Sequence, residues 1–121
     1  MFLLDSVILI DHFNNVPEAT SFIREHIDHL AISVITRSEV LVGFTQVDQF
    51  KAKLLMDKFQ TLEINGVIAD LAAQLRQERK WKLPDAFQAA LAQHHCFKLV
   101  TRNTKDFNPN TNDFVICPYR T

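Results

Sequence analysis

Four acidic residues of this chain lie in short segments of similar character. The segments and their acids are FLLDS with Asp5, ITRSEV with Glu39, KLPDA with Asp85 and LVTRNTKDF with Asp106. Carboxylate oxygens are the ligands that hard divalent cations prefer, and such cations assist hydrolysis at phosphate groups. If folding brings the four acids together, they can form a cation site for chemistry on a phosphate backbone.

Four carboxylates could not share a small space without a counter-charge. Two carboxylates about 4 Å apart repel by roughly 4 kcal/mol at an effective dielectric constant of 20, and each raises the pKa of the other. A divalent cation relieves this repulsion, and Mg²⁺ binds through a few carboxylates while it keeps several waters. The donor set therefore predicts Mg²⁺ as the cofactor, with Mn²⁺ as a substitute.

Each acid also has an ordinary structural interpretation. Asp85 could cap a helix, whereas Asp106 could close a turn with Asn103. Glu39 could lie on a helix surface, and Asp5 could be the polar end of a strand. However, Glu39 interrupts a largely apolar helix, and Asp5 follows an apolar run that a core strand would bury. Carboxylates are rarely buried without a partner, so these two positions favour a site.

The apolar pattern predicts the elements that would position these acids. Strands are predicted at 2–4, 31–34, 62–64, 98–101 and 114–117. Helical faces are predicted from three sets: Ala19, Phe22, Ile23, Ile27 and Leu30; Ile68, Leu71, Ala72 and Leu75; and Phe87, Ala90 and Leu91. This alternation is typical of an α/β fold with helices on the faces of a parallel sheet.

The sheet topology predicts where the acids meet. Ligands of such sheets collect at the carboxyl ends of the strands, and this rule brings Asp5, Glu39 and Asp106 to one edge. The position of Asp85 stays open, because the helix that Asp85 begins runs back into a strand.

Length and composition limit the class of protein. The 121 residues, of which 47% are hydrophobic, suit one domain over 1–121 with one sizeable core. No apolar run reaches the roughly 20 residues that cross a bilayer, and the short FLLD start is not typical of a secretory signal. We therefore expect a soluble, cytoplasmic protein with no membrane partner. A net charge of -1 disfavours a protein that coats nucleic acid by bulk electrostatics.

Several familiar chemical motifs are missing from the sequence. With glycine only at Gly43 and Gly66, the chain has no glycine-rich phosphate loop, and HExxH and GxSxG are also absent. Cys96 and Cys117 have no CxxC spacing, and we expect both to be free thiols that act as small core residues. The histidines lack metal-ligand spacing and are expected at surfaces or helix ends; they are His12, His26, His29, His94 and His95.

Basic side chains flank two of the acids. Near Asp85 and Asp106 stand Arg76, Arg79, Lys80, Lys82, Arg102 and Lys105. Five of them, Arg79, Lys80, Lys82, Arg102 and Lys105, are candidates to contact a nucleic-acid backbone, which they would position without reading its sequence. The first group could equally be the solvated end of a helix, where cations suit the helix dipole.

The four segments resemble those of the PIN-domain ribonucleases, and most closely the toxin component of VapBC-type toxin–antitoxin pairs. The similarity runs in order through DSVILIDHF, ISVITRSEVLVG, KLPDAFQAALA and LVTRNTKDF and covers nearly the whole chain. It implies a three-layer α/β/α sandwich around a mostly parallel sheet, a Mg²⁺ or Mn²⁺ site, and endonucleolytic cleavage of RNA that leaves 5′-phosphate and 3′-hydroxyl ends. It also implies a homodimer held by an antitoxin protein.

The resemblance assigns roles by position. The catalytic and metal-binding residues would be Asp5, Glu39, Asp85 and Asp106, with Ser6, Thr101 and Asn103 as supporting polar residues. Within the quartet, Asp5 and Asp85 would be the main ligands, while Glu39 and Asp106 hold water or a second ion. Many relatives carry a small polar residue where this chain has Val7.

Other positions are assigned less directly. Asp11 stands where the helix of relatives often carries an acid, and we predict a helix-surface or dimer-side residue there. Four large aromatic residues could form a dimer face or pack internally; they are Phe44, Phe50, Phe59 and Trp81.

Three other functions stay open. A PIN-like module could bind RNA or a protein without cutting it, and a stand-alone nuclease could process RNA without an antitoxin. A phosphatase that uses Asp5 as nucleophile would need a second acid two residues later, where Val7 stands. The complete quartet favours the nuclease. The sequence does not identify the RNA target or the antitoxin.

Overall fold

The computed structural model describes residues 1–120, in which a central parallel sheet is covered by helices on both faces. The strands are β1 (Phe2–Leu4), β2 (Leu30–Ser33), β3 (Gln60–Leu62), β4 (Lys98–Val100) and β5 (Val115–Ile116). They are ordered β3-β2-β1-β4-β5, and every neighbouring pair is parallel. The predicted α/β class with a parallel sheet is therefore confirmed.

The helices begin where capping residues or prolines favour a first turn. They are α1 (Ser6–Phe13), α2 (Pro17–Glu25), α3 (Val34–Val42), α4 (Gln46–Met56), α5 (Gly66–Arg79) and α6 (Leu83–His95), with a short 3₁₀ helix at Ile27–His29. Side chains of Asp5, Ser33, Thr45 and Asn65 accept a hydrogen bond from the first turns of α1, α3, α4 and α5 respectively. Proline occupies the first turn of α2 and of α6, where a missing N–H costs nothing.

The core lies on both sides of the sheet. Leu3 and Leu99 pack with α5 and α6, whereas Leu4 and Val100 pack with helices α1 to α4 on the other face. Consecutive strand residues point to opposite faces, so a strand covered on both sides is apolar without alternation. This arrangement explains the short apolar runs that the sequence shows.

Several predicted boundaries differ from the structure. Strand β2 begins at Leu30, which pairs with Phe2, so the prediction that Leu30 continues the preceding helical face is wrong. Strand β2 ends at Ser33 because the Ser33 hydroxyl accepts a hydrogen bond from the backbone of Thr36 and caps α3. Strand β3 lies two residues earlier than predicted, and β4 and β5 are shorter than predicted.

Some single residues also differ from their predicted surroundings. Cys96 and Cys117 are free, but Cys96 is exposed in the left-handed conformation that ends α6, so it is not a core residue. Among the large aromatic residues, Trp81 and Phe59 are buried, and Phe44 packs edge to face against Phe13. Phe50, by contrast, is 66% exposed. Most of these aromatic side chains therefore pack internally.

The histidines divide by exposure. His29, His94 and His95 are exposed, whereas His12 and His26 are partly buried. Burial lowers the pKa of His12, whose ring Nδ1 lies 2.7 Å from the Thr20 hydroxyl. Within residues 1–120, no helix combines the length and hydrophobicity that crossing a membrane requires.

Candidate active site

Asp5 lies at the carboxyl edge of the sheet, directly after β1. Its backbone N–H donates to the carbonyl of Val100 on the neighbouring strand β4, over 2.9 Å. Its carboxylate Oδ1 accepts a hydrogen bond from the Ser6 backbone at 2.9 Å and so caps α1. The residue is only 7% exposed. Its position is set by strand β1, by the hydrogen bond to β4 and by its capping of α1.

A buried polar network orients the Asp5 carboxylate. The Thr101 hydroxyl donates to Asp5 Oδ2 at 2.8 Å, and the Gln88 amide donates to Oδ1 at 3.3 Å. The same Gln88 amide group donates to the Thr36 hydroxyl at 2.8 Å, and its carbonyl accepts from Ser33 at 2.6 Å. Every buried side-chain polar atom of the described residues has a hydrogen-bond partner. Because both ends of the Gln88 side chain are bonded, its orientation and that of Asp5 are linked.

Glu39 and Asp85 reach the same cavity as Asp5. The cavity measures about 430 Å³ and is lined by all three acids. Desolvation raises the pKa of Glu39, and the negative charge of Asp5 raises it further, while the Ser6 hydroxyl acts in the opposite direction. Glu39 and Asp5 therefore lie close enough for their charges to interact.

Asp85 has the most strongly shifted pKa among the acids of the site. Burial, followed by the charges of Asp5, Asp106 and Glu39, raises its pKa from 3.8 to about 6. The nearby cation Lys82 opposes this shift. The fold thus brings the other three predicted acids within electrostatic reach of Asp85, and Asp85, whose position topology left open, lines the same cavity as Asp5 and Glu39.

Asp106 does not line the cavity of the other three acids, although its charge contributes to the raised pKa of Asp85. It is exposed, and its Oδ2 accepts a hydrogen bond from the Asn103 amide at 3.0 Å. The Asn103 backbone N–H donates to the Thr101 hydroxyl at 3.0 Å, and the Trp81 indole donates to the Asp106 carbonyl at 2.8 Å. Thr101 therefore connects Asp5 with the loop that carries Asn103 and Asp106.

The basic residues predicted to contact RNA lie in different parts of the structure. Arg102 and Lys105 line the acidic cavity, and Lys82 lies near Asp85. Arg79 donates to Asn112 at 2.9 Å and stands over the Trp81 ring, in the wall of another cavity of about 820 Å³ that includes Lys98. Lys98 begins β4 and so lies at the opposite end of that strand from the acids. Lys80 is exposed and ends α5.

The acids fit a hard divalent cation by their chemistry. Their donor atoms are all oxygen, and the raised pKa of Asp85 comes from burial and from the charges of the other acids, both of which a bound cation would offset. Within residues 1–120, no three acidic, histidine or cysteine side chains stand close enough to hold one ion together. Glu39 and Asp106 are exposed, whereas Asp5 is buried and Asp85 is partly buried.

Residues 2–108 match the family model of the PIN domain. The chain belongs to the PIN domain family. A comparison with curated proteins finds no match.

This PIN domain is also similar to chains of solved toxin–antitoxin structures. One is a toxin-antitoxin complex from Klebsiella pneumoniae, with 39% identity, a TM-score of 0.92 and coverage of 100% of both chains. Another is FitAcB from Neisseria gonorrhoeae, with 20% identity, a TM-score of 0.80 and coverage of 98% of each chain. DNA-bound VapBC from Salmonella typhimurium has 20% identity, a TM-score of 0.75, and coverage of 88% of this chain and 89% of that one. The last two likenesses concern the fold alone.

Asp11 of this PIN domain has a role that the sequence did not indicate. It is 5% exposed and accepts hydrogen bonds from Arg102 Nε at 2.6 Å and Arg102 Nη2 at 2.9 Å, and from the Tyr119 hydroxyl at 2.8 Å. The hydrogen bond from Arg102 lowers the pKa of Asp11, so the two form an ion pair. The prediction of a helix-surface or dimer-side residue is therefore wrong, because the inner face of α1 meets the loop after β4.

The network around Asp5 was also missed by sequence reasoning. Gln88, Ser33 and Thr36 are buried polar residues, but each is separated from Asp5 by many residues along the chain. The available signal was a glutamine in the otherwise apolar stretch AFQAALA of α6. A buried amide needs partners, and that need could have indicated a polar network beside the site.

Proposed function

We propose that this PIN domain is a single-domain, divalent-metal-dependent endoribonuclease and the toxin of a type II toxin–antitoxin pair. The observation that carries the proposal is the convergence of the acids at one sheet edge, where burial and the charges of the other three acids raise the pKa of Asp85 to about 6. Such a concentration of negative charge is typical of a site that acts on a phosphate group through a cation. Membership of the PIN family supports a nuclease.

The residues have distinct parts in this proposal. Asp5 and Asp85 would hold Mg²⁺, for which Mn²⁺ can substitute, and Glu39 and Asp106 would complete the acidic site. When bound, a divalent ion offsets the charge on the attacked phosphate and lowers the pKa of an attacking water. RNA is the proposed substrate, and its cleavage would leave 5′-phosphate and 3′-hydroxyl ends.

The chain's own polar groups prepare the site for that reaction. Thr101, Gln88 and the Ser6 backbone fix the Asp5 carboxylate, so its orientation does not have to be established when substrate binds. Arg102 and Lys105 line the same cavity and offer N–H donors to phosphate oxygens beside the acids. These cations position the RNA backbone next to a site that is otherwise anionic.

The proposed partners are an antitoxin and a second copy of the chain. The similar chain from Klebsiella pneumoniae is part of a toxin-antitoxin complex, which supports an antitoxin partner. A homodimer could bury the exposed apolar side chains of α3 and α4, which include Val42, Val47, Phe50 and Leu54. The cytoplasm is the proposed compartment.

Cleavage by purified, metal-stripped protein tests the proposal. With Mg²⁺ or Mn²⁺ restored, the wild-type protein should cut an RNA pool, and end mapping should find 5′-phosphates. Asp5→Asn and Asp85→Asn should abolish cutting, while Asp70→Asn, an exposed acid on α5, serves as the matched control. Asparagine keeps the helix-capping ability of Asp5, so circular dichroism should show an intact fold.

Two outcomes would favour other functions. Equal cutting by Asp5→Asn and wild type would contradict the assigned site. RNA binding without cutting under every metal condition would indicate a non-catalytic module, and cutting that no neighbouring antitoxin suppresses would favour a stand-alone processing nuclease.

A further inference from the structure

Two further cavities continue the acidic cavity along the surface. The first, of about 270 Å³, shares Arg102 and Thr104 with the cavity of the acids. The second, of about 580 Å³, shares Thr104, Cys117 and Arg120 with the first. The last cavity also includes Val115 and Ile116, which form the edge strand β5. We call these two cavities together the β5 cleft; it leads from the acids past the loop after β4 to the edge of the sheet.

The β5 cleft differs in charge from the acidic cavity. None of the described residues that line it is Asp or Glu. Its cations are Arg102 and Arg120, and its neutral polar groups include Thr104, Asn108 and Asn110. A polyanion that places one phosphate at the acidic site needs its neighbouring phosphates in less negative surroundings, and the β5 cleft supplies them.

Arg102 is held at the junction of the acidic cavity and the β5 cleft. Asp11 accepts from Nε and Nη2 of Arg102, and Tyr119 bonds to the same carboxylate, so the guanidinium has a defined position. An arginine has five N–H donors, and these bonds to Asp11 leave others available for a phosphate oxygen. Because the side chain is already ordered, a phosphate bound there costs less rotamer entropy than one bound by a free surface arginine.

The cations near the end of α5 do not form a comparable path. Arg79 is engaged by Asn112 and Trp81 in a cavity whose lining includes neither the acids nor Arg102. The β5 cleft, in contrast, shares side chains with the acidic cavity. Its larger cavity has the volume of a small-ligand pocket, and its smaller cavity is narrower still, which suits unpaired nucleotides better than a duplex.

We infer that a single RNA strand passes from the acidic cavity into the β5 cleft, with its backbone phosphates at Arg102 and Arg120. This inference rests on the proposed nuclease function and specifies the substrate as an unpaired segment that extends toward β5. It also makes Asp11 a positioning residue, since Asp11 acts on the RNA through Arg102.

Charge reversal at the far end of the β5 cleft tests the inference. Arg120→Glu is compared with Lys58→Glu, which has the same change in charge at an exposed residue just before the opposite edge strand β3. With a short unpaired RNA, Arg120→Glu should raise KM several-fold, leave kcat near the wild-type value, and reduce the slope of log affinity against log salt by about one. Lys58→Glu should leave all three unchanged.

Binding measurements separate this inference from the nuclease proposal. Fluorescence anisotropy with Asp5→Asn and with the Asp5→Asn, Arg120→Glu double variant reports RNA affinity without cutting. Weaker binding by the double variant supports the RNA path even if wild-type protein fails to cut. Equal RNA affinities of the two proteins would overturn the path and leave the cleft to a protein ligand, whether or not the wild type cuts. A larger loss of RNA affinity for Lys80→Glu than for Arg120→Glu would also overturn it, in favour of an RNA path at the end of α5.

Discussion

Replacing Asp85 with asparagine should make the metal-free protein more stable and remove the stability that it gains from Mg²⁺. Burial and the charges of Asp5, Asp106 and Glu39 raise the pKa of Asp85 from 3.8 to about 6. Each pKa unit corresponds to about 1.4 kcal/mol, so the whole shift corresponds to on the order of 3 kcal/mol, and solvent screening at this partly exposed side chain brings the cost of keeping Asp85 ionised near pH 8 below that figure. Asparagine removes this charge and keeps the shape of the side chain.

The helix position of Asp85 reduces the expected gain. Asp85 lies in the first turn of α6, where a carboxylate interacts favourably with the helix dipole by about 0.3–1 kcal/mol. The net increase in the free energy of unfolding is therefore about 2 kcal/mol, or roughly 6–10 °C in the melting temperature for a domain of this size. Burial and charge repulsion together outweigh the helix dipole, so the substitution is expected to stabilise the metal-free protein.

The effect should depend on pH in a defined direction. A carboxyl with a raised pKa favours the folded state below its unfolded value of 3.8, and this contribution is lost as the pH rises through about 6. Wild type and Asp85→Asn should therefore differ little near pH 4 and most above pH 7. The stability gained from Mg²⁺ should depend on pH over the same range, because protons compete with the cation for Asp85.

Urea denaturation in EDTA and in Mg²⁺, at acidic and at slightly alkaline pH, measures both effects. Wild type should gain stability from Mg²⁺ at the higher pH, whereas Asp85→Asn should gain little. Asp70→Asn, which changes an exposed acid of α5, is the control and should behave as wild type. A less stable Asp85→Asn in EDTA at the higher pH would refute the reasoning and identify Asp85 as chiefly a helix-capping residue.

Three further substitutions test other parts of the structure. Asp11→Asn should lower the free energy of unfolding by about 2 kcal/mol in urea denaturation, because Arg102 would lose its charged partner and hydrogen bonds to charged groups contribute about 1.5–3 kcal/mol. A change near zero would contradict a structural ion pair. Gln88→Leu should lower the free energy of unfolding by about 2 kcal/mol and reduce kcat, because the buried hydroxyls of Ser33 and Thr36 and the Asp5 carboxylate each lose a hydrogen-bond partner. An unchanged kcat would show that the network does not orient Asp5. Phe50→Ser should leave the stability of a monomer within about 0.5 kcal/mol but weaken the dimer in analytical ultracentrifugation; an unchanged dimer would exclude α4 from the interface.

The parts of the fold that sequence could predict are those set by local patterns. Apolar runs such as Phe2–Leu4 indicate strands buried on both faces, and helical periodicity lies between them, so the α/β class follows. Strand ends were less predictable, because Ser33 ends β2 only by capping α3, and either role suits a serine.

The contacts that sequence could not predict join distant parts of the chain. Arg102 and Asp11 are 91 residues apart, and their pairing depends on how α1 is turned against the loop after β4. Arg102 was expected to be free for RNA on the basis of its charge and its place beside the acids. Charge alone does not show whether a partner holds the side chain, and here the partner was the acid predicted to lie on the surface.

The site combines one buried, hydrogen-bonded acid with others that are more exposed. Asp5 is buried and bonded by Ser6, Thr101 and Gln88, whereas Glu39 and Asp106 are exposed. A rigid arrangement of four carboxylates at ligand distance would repel strongly in the absence of a cation. With Asp5 buried and bonded and with Glu39 and Asp106 exposed to solvent, that cost is limited, yet burial and the charges of Asp5, Asp106 and Glu39 still raise the pKa of Asp85 to about 6. That remaining repulsion is free energy that a bound cation would recover, so the same feature that lowers the stability of the metal-free fold should increase its affinity for the metal.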